Sequence, residues 1–186
     1  MMKLLSKFVF WVSGWTFKGP WPEGVEKAVL IAVPHTSNWD LLYARAGFYL
    51  MDIPVRYTIK KELMVGPLGW LLKALGGIAI DRKRIPGGKK QTYTQAMIDM
   101  LQNSDDLVIM VTPEGTRKQV KRWKTGFYHV AKGAGVPVVI GYLDYKKKEA
   151  GVGPMFTLEG EMDDEIEKMK EFGRTVTARH PEQGIL

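Results

Sequence analysis

The chain has 186 residues, a formal net charge of +7 and no cysteine, a size and composition typical of one globular domain. The absence of cysteine excludes a disulfide framework, a thiolate metal site and a cysteine nucleophile. The longest stretch without Asp, Glu, Lys or Arg is the 12 residues from Ala28 to Trp39. A membrane-spanning helix needs about 20 apolar residues, so the sequence predicts no such helix.

The first predicted element is an N-terminal amphipathic helix within residues 1–17. Leu4, Phe8, Trp11 and Trp15 recur at helical spacing. Bulky aromatic residues follow the apolar run, which is a poor context for signal-peptide cleavage, so we expect the segment to be retained. Because tryptophan favours the water–lipid boundary, we interpret these four residues as membrane-binding. Docking of the helix on the protein core is the alternative.

From residue 23 onward, strand-like and helix-like segments alternate. Strands are predicted at residues 27–33, 55–59, 77–80, 107–111 and 136–143, with a possible edge strand at 155–158. Helices are predicted at residues 38–51, 67–75, 92–101, 123–132 and 163–180. Strands that are apolar on both faces need helices above and below the sheet, and this alternation is typical of the α/β class.

We therefore predict a single α/β domain with a central, largely parallel or mixed sheet and helices on both faces. The predicted organisation is an N-terminal interfacial segment at residues 1–22 and a folded domain at residues 23–186. The last predicted helix is acidic and is interpreted as a lid or a surface layer.

Charge is unevenly distributed along the chain. Residues 159–171 carry a net charge of −5, whereas residues 1–158 carry +11. A basic body attracts anions, such as an anionic membrane, a phosphorylated substrate or nucleic acid. No nucleic-acid-binding motif accompanies the charge, so we expect no nucleic-acid partner. A non-catalytic basic module that binds nucleic acid or anionic lipid remains an alternative.

A histidine and an aspartate follow the first predicted buried strand. If a helix begins near Ser37 or Asn38, Asp40 lies in its first turn and can face His35. A carboxylate beside an imidazole fixes its tautomer and stabilises the imidazolium form. A general base that acts on a hydroxyl needs this pairing. The alternative is a loop histidine beside an aspartate that caps a helix.

A second polar cluster follows the strand predicted at residues 107–111. Gly115 permits an unusual turn or close approach of a ligand, while Thr116 and Arg117 offer a hydroxyl and a guanidinium that suit a phosphate. Glu114 is expected to hold Arg117 or another arginine; a simple turn with a salt bridge is the alternative. Ligands of open α/β sheets bind beyond the carboxyl ends of the strands, so we expect this cluster to converge with His35.

These residues together resemble the motifs of the glycerolipid acyltransferase family, in particular its 1-acylglycerol-3-phosphate O-acyltransferase type. The resemblance begins with His35-x4-Asp40 and continues with Pro-Glu-Gly-Thr-Arg at residues 113–117. Further matches in the family's order are residues 60–63 (Lys-Lys-Glu-Leu), 66–70 (Gly-Pro-Leu-Gly-Trp), 77–82 (Gly-Ile-Ala-Ile-Asp-Arg) and 135–139 (Gly-Val-Pro-Val-Val). The resemblance covers about residues 28–143.

The resemblance implies a reaction and a set of site residues. His35 removes the proton of an acceptor hydroxyl, Asp40 orients His35, and Lys60 helps to stabilise charge on the tetrahedral intermediate. The implied substrate-binding residues are Arg82, Glu114, Gly115, Thr116 and Arg117. The acyl donor is acyl-carrier protein or acyl-CoA, the acceptor is a lysophospholipid, and no metal or bound cofactor is required.

The acceptor and the location are also expectations from this resemblance. We take 1-acylglycerol-3-phosphate as the first choice of acceptor. In two positions the chain departs from the common form, since Leu41 follows Asp40 and Lys118 follows Arg117. Another hydroxylated lysolipid, such as an aminolipid, therefore remains an alternative acceptor. The expected location is cytoplasmic, peripheral on the inner face of a bacterial cell membrane, in membrane lipid biosynthesis.

Overall fold

The computed structural model describes residues 2–53, 55–59, 64–80 and 91–186. The helices within these ranges are α1 Met2–Ser13, α2 Trp39–Met51, α3 Gly66–Ala74, α4 Tyr93–Gln102, α5 Gly126–Ala134 and α6 Met162–Arg174, followed by a short 3-10 turn, Pro181–Gln183. The strands are β1 Thr16–Lys18, β2 Lys27–Ala32, β3 Val55–Ile59, β4 Gly77–Ala79, β5 Leu107–Val111, β6 Val138–Asp144 and β7 Glu149–Phe156.

The seven strands form one mixed sheet in the order β1-β7-β6-β2-β5-β3-β4. All neighbouring pairs are parallel except β6 and β7, which form an antiparallel hairpin. β2 and β5 are adjacent near the centre, and each is a short run of β-branched and aliphatic residues that is buried along most of its length. Such two-sided burial requires cover on both faces.

Helices pack on both faces of the sheet, and each face has its own hydrophobic core. On one face, Ile31 and Ile109 of the central strands pack with Leu101 of α4, Tyr128 of α5 and Met169 of α6. On the other face, residues of β2, β3, β5 and β6 pack with Phe48 of α2, and α1 packs on α2. The prediction of one α/β domain with a mixed sheet and helices on both faces is confirmed. The acidic helix α6 is part of the covering layer.

The N-terminal helix is amphipathic, as predicted, but it ends earlier than predicted. Leu4, Phe8 and Trp11 are exposed at 72%, 57% and 79%. After Ser13, Gly14 adopts a φ of +70°, a left-handed conformation that favours glycine. The turn directs Trp15 inward, where it is 6% exposed. The prediction of Trp15 as a membrane-binding residue is therefore wrong.

Two short strands differ from the sequence-based expectation. β1 has three residues, too few to display an alternating pattern, and it extends the sheet by pairing in parallel with β7. The strand expected at residues 155–158 is the end of the longer β7, which lies between β1 and β6 and not at an edge. Gly151, Gly153 and Pro154 interrupt the apolar pattern of β7, which explains why its first half was not predicted.

Two helices also have different bounds from those predicted. α5 begins at Gly126, because the preceding residues form a turn in which Trp123 is buried against Phe127. α6 ends at Arg174, and the chain beyond it lies against the loop after β6, where the backbone N–H of Tyr145 donates to the carbonyl of Thr177. No helix within the described ranges is both long and apolar enough to span a bilayer.

Candidate active site

His35 and Asp40 face each other at the carboxyl end of β2. His35 lies in the loop after β2, and Asp40 lies in the first turn of α2. Nδ1 of His35 is 3.0 Å from Oδ2 of Asp40. The backbone N–H groups of Thr36 and Ser37 each donate to the same oxygen at 3.0 Å. The predicted facing arrangement is therefore present, and it is held by the geometry of the helix start.

The electrostatics of Asp40 favour its charged form. Burial raises the pKa of this carboxyl, but hydrogen bonds from His35, Tyr145 and Ser37 outweigh burial and hold the pKa below its usual value. An anionic carboxylate beside Nδ1 favours the tautomer with the proton on Nδ1, which leaves Nε2 as the basic nitrogen. The pair has the arrangement of a general base and the residue that orients it.

Glu114 joins the loop after β5 to the loop that carries His35. β2 and β5 are parallel neighbours, with Ile31 opposite Val111, so their carboxyl ends meet at one edge of the sheet. Oε1 of Glu114 accepts a hydrogen bond from the backbone N–H of His35 at 3.2 Å. Oε2 is buried and has no hydrogen-bond partner among the residues that the structure describes. Burial raises the pKa of Glu114 to about 7.

Glu114 does not hold Arg117, contrary to expectation. The chain turns at Gly115, whose φ is +63°, so that Glu114 points inward while Arg117 lies exposed beyond the turn. Arg117 instead donates a hydrogen bond to the side-chain oxygen of Asn38, beside the start of α2. A Cβ at residue 115 would lie 2.5 Å from Nζ of Lys124, so the flexible end of the Lys124 side chain would have to move to accommodate another residue.

A small polar pocket opens beside His35. It has a volume of about 340 Å³ and is lined by His35, Thr112, Gly115, Thr116 and Arg117. The guanidinium and the threonine hydroxyl groups are suited to an anionic group such as a phosphate. Three of the four described members of the predicted substrate-binding set, Gly115, Thr116 and Arg117, therefore line one pocket.

A larger, mainly apolar cavity of about 920 Å³ lies between α2 and the sheet. Its walls include Leu30 of β2, Ala44 and Phe48 of α2, and Met110 of β5. His35, Thr112 and Gly115 line this cavity as well as the polar pocket. His35 thus lies where an apolar space and a polar space meet, which is the arrangement expected for an amphipathic ligand.

Two predicted site residues, Lys60 and Arg82, lie outside the described residues. Among the described residues that the motifs did not predict, three contribute to the site as follows: Tyr145 donates to Asp40, Thr112 lines both cavities, and Lys124 lines the apolar cavity. Tyr145 directly follows the carboxyl end of β6, so the rule that ligands bind beyond strand ends would have identified it. In the part of the chain that is described, no group of three or more potential metal ligands occurs.

Residues 17–140 match the model of the family described as Acyltransferase. The chain belongs to this family. The chain is 30% identical, over 119 residues, to the 1-acyl-sn-glycerol-3-phosphate acyltransferase of Haemophilus influenzae. The match covers 62% of this chain and 47% of the relative, so the chain spans about half the length of this curated relative.

A solved structure has a fold similar to that of this chain. The crystal structure of the 1-acyl-sn-glycerophosphate acyltransferase of Thermotoga maritima matches with a TM-score of 0.63 at 18% identity. The match covers 96% of this chain and 79% of that one. His35, Asp40 and residues 114–117 lie inside the region that matches the Acyltransferase family, whereas Tyr145 lies beyond it.

Proposed function

We propose that this member of the Acyltransferase family moves a fatty acyl group from an acyl thioester to the hydroxyl of a lysophospholipid. The position of the His35–Asp40 pair at the junction of an apolar cavity and a polar pocket carries the proposal. Acyl-carrier protein or acyl-CoA is the proposed donor, and 1-acylglycerol-3-phosphate is the proposed acceptor. Another hydroxylated lysolipid is the alternative acceptor.

In the proposed reaction, Nε2 of His35 removes the proton from the acceptor hydroxyl. The oxygen attacks the carbonyl carbon of the thioester, so that a C–O bond forms as the tetrahedral intermediate. The intermediate collapses, the C–S bond breaks, and the thiolate that leaves takes the proton from the imidazolium. Asp40 holds the imidazole in the required tautomer and stabilises its charged form.

The two cavities divide the substrates by polarity. The apolar cavity accommodates fatty acyl chain, because its walls of Leu, Phe, Met and Ala side chains gain from contact with methylene groups. The polar pocket accommodates the phosphate of the acceptor beside Thr116 and Arg117. We propose that Lys60 acts at the oxyanion of the intermediate and that Arg82 contributes to the phosphate site, as their motifs imply.

We further propose that α1 docks on an anionic membrane. Its exposed face presents Leu4, Phe8 and Trp11. Three consecutive exposed lysines, 146–148, lie at the carboxyl end of α1, where Nζ of Lys148 donates to the carbonyl of Ser13 at 3.1 Å. Apolar side chains beside lysines suit an interface of acyl chains and anionic headgroups. Docking there would bring lipid substrates to the site from the membrane.

The decisive experiment is an acyl-transfer assay of the purified chain. Acyl-carrier protein and CoA thioesters are offered with a panel of lysolipids, and His35→Ala is compared with wild type. We expect transfer by wild type and loss of transfer in His35→Ala. His129→Ala is the matched control, because His129 is exposed on α5 and lines neither the apolar cavity nor the polar pocket. Equal activity in His35→Ala and wild type would contradict the mechanism.

A further inference from the structure

Tyr145 makes a direct contact with the carboxylate that orients His35. Its hydroxyl donates a hydrogen bond to Oδ1 of Asp40 at 2.7 Å. The other carboxylate oxygen, Oδ2, accepts from Nδ1 of His35 and from the backbone of Thr36 and Ser37. Both oxygens of Asp40 therefore accept hydrogen bonds. A rotation of the carboxylate would weaken the bonds to one oxygen or the other, so the two sets of donors together hold its orientation.

The ring of Tyr145 is itself held on several sides. Tyr145 packs nearly perpendicular to Trp15, with ring centroids 4.9 Å apart, and Trp15 stacks on Tyr43 at 4.2 Å. The guanidinium of Arg179 lies 5.8 Å from the ring of Tyr145. The backbone N–H of Tyr145 donates to the carbonyl of Thr177 at 2.9 Å. The hydroxyl thus reaches Asp40 from a side chain with little freedom to move.

We propose that Tyr145 is a positioning residue that fixes Asp40 in the orientation in which it holds His35. The proposal rests on the acyl transfer proposed above. Without the hydroxyl, Oδ1 of a buried carboxylate loses a charge-assisted hydrogen bond, and the carboxylate is held through Oδ2 alone, so it turns away from Nδ1 more readily. The imidazole then samples orientations in which Nε2 does not face the acceptor hydroxyl. The rate of the chemical step falls as a result, whereas the affinity for the substrate changes little.

The protonation state of Tyr145 agrees with a donor role. Burial, together with the hydrogen bond to Asp40 and the charge of Asp40, raises the pKa of Tyr145 well above its usual value, although Arg179 opposes this shift. The hydroxyl therefore keeps its proton at neutral pH. It acts as a permanent donor to Asp40 and not as an acid in the reaction.

Tyr145→Phe tests the proposal, because it removes the hydroxyl and keeps the ring that packs on Trp15. Tyr128→Phe is a matched control. Tyr128 also donates to a carboxylate at 2.7 Å, that of Glu165, but it lies among the helices on the opposite face of the sheet. We expect Tyr145→Phe to lower kcat by about 10-fold to about 100-fold with KM within about twofold of wild type. Tyr128→Phe is expected to keep wild-type kcat. Equal kcat in the two variants would overturn the proposal.

A spectroscopic measurement separates this proposal from the proposed reaction. The proton on Nδ1 of a histidine bonded to a carboxylate gives a downfield NMR resonance, which is assigned to His35 by its loss in His35→Gln. We expect Tyr145→Phe to displace or broaden this resonance and Tyr128→Phe to leave it unchanged. The readout needs no substrate, so it decides the role of Tyr145 even if wild type transfers no acyl group. An unchanged resonance in Tyr145→Phe would refute the positioning role.

Discussion

The carboxylate of Glu114 accepts the backbone N–H of His35 at 3.2 Å, although the two residues lie 79 positions apart in the sequence. The bond joins the loops that follow two adjacent parallel strands, β2 and β5. One loop carries the proposed general base, and the other carries Gly115, Thr116 and Arg117. The bond therefore helps to set the distance between the proposed base and the polar pocket, and it requires the carboxyl group of Glu114 to be buried.

The buried carboxyl of Glu114 predicts a pH-dependent stability. Its pKa is raised to about 7 from 4.5 by burial, so the unfolded chain releases this proton more readily than the folded chain. Stability is therefore lost as pH rises through the interval between these two values. We expect the free energy of unfolding of wild type to fall by on the order of 2 kcal/mol from this group between about pH 5 and about pH 8.

Urea unfolding at the two pH values checks this expectation. Glu114→Gln keeps an oxygen for the backbone of His35 but cannot ionise, so its stability should decline less over the same interval. Glu149→Gln, which changes a half-buried glutamate on β7, serves as the control and should retain the wild-type decline. If the decline in Glu114→Gln equals that of wild type, the assignment of this pH dependence to Glu114 is wrong.

The sequence predicts the central strands and the His35–Asp40 pair well, and the reasons are local. Residues 107–111 are an uninterrupted aliphatic run bounded by polar residues, and the observed β5 has the same bounds. Asp40 faces His35 because both belong to one strand–loop–helix turn. Both results could be predicted because the residues that indicate them lie close together in the sequence.

Features that depend on tertiary contacts were not predictable in the same way. The sequence places Glu114 at a strand end, but only the parallel pairing of β2 with β5 decides that it bonds to His35 and not to Arg117. Trp15 fits the apolar stripe of a helix, yet the turn at Gly14 buries it against Tyr43. Periodicity reports the spacing of side chains but does not report where the chain turns.

Arg117→Ala tests the proposal that the polar pocket binds the phosphate of the acceptor. Because a charge-assisted hydrogen bond to a phosphate is worth about 1.5–3 kcal/mol, we expect KM for 1-acylglycerol-3-phosphate to rise by about 10-fold or more. For a lysolipid with an uncharged headgroup, the substitution should raise KM much less. Arg122→Ala is the matched control, since Arg122 is exposed but does not line the pocket. An equal rise in KM in both variants would indicate a general effect of surface charge and would contradict a specific site.

Ala44→Phe tests whether the large cavity holds acyl chain. Ala44 lies on α2 in the wall of this cavity, so a phenyl ring there reduces the space between α2 and the sheet. We expect the preferred acyl chain, measured in competition between thioesters of different lengths, to become shorter. Ala134→Phe adds the same ring to a half-buried position on α5, outside the cavity, and should leave the preference unchanged. An unchanged chain-length preference in Ala44→Phe would argue against acyl binding in this cavity.

The proposed membrane face of α1 is tested by substitutions at its exposed surface. A deletion of the whole predicted interfacial segment, residues 1–22, would also remove β1 and the buried Trp15. Trp11 is 79% exposed on α1, and Trp70 is 74% exposed on α3, so the two tryptophans form a matched pair. Trp11→Ser should weaken binding to anionic vesicles by about 10-fold, since it removes a large apolar side chain from the interface. Trp70→Ser should have little effect. Vesicle sedimentation measures the binding of both variants. Added salt should weaken the binding of wild type, because the lysines at residues 146–148 are expected to attract anionic headgroups. Equal losses in Trp11→Ser and Trp70→Ser would show that α1 is not the specific docking element.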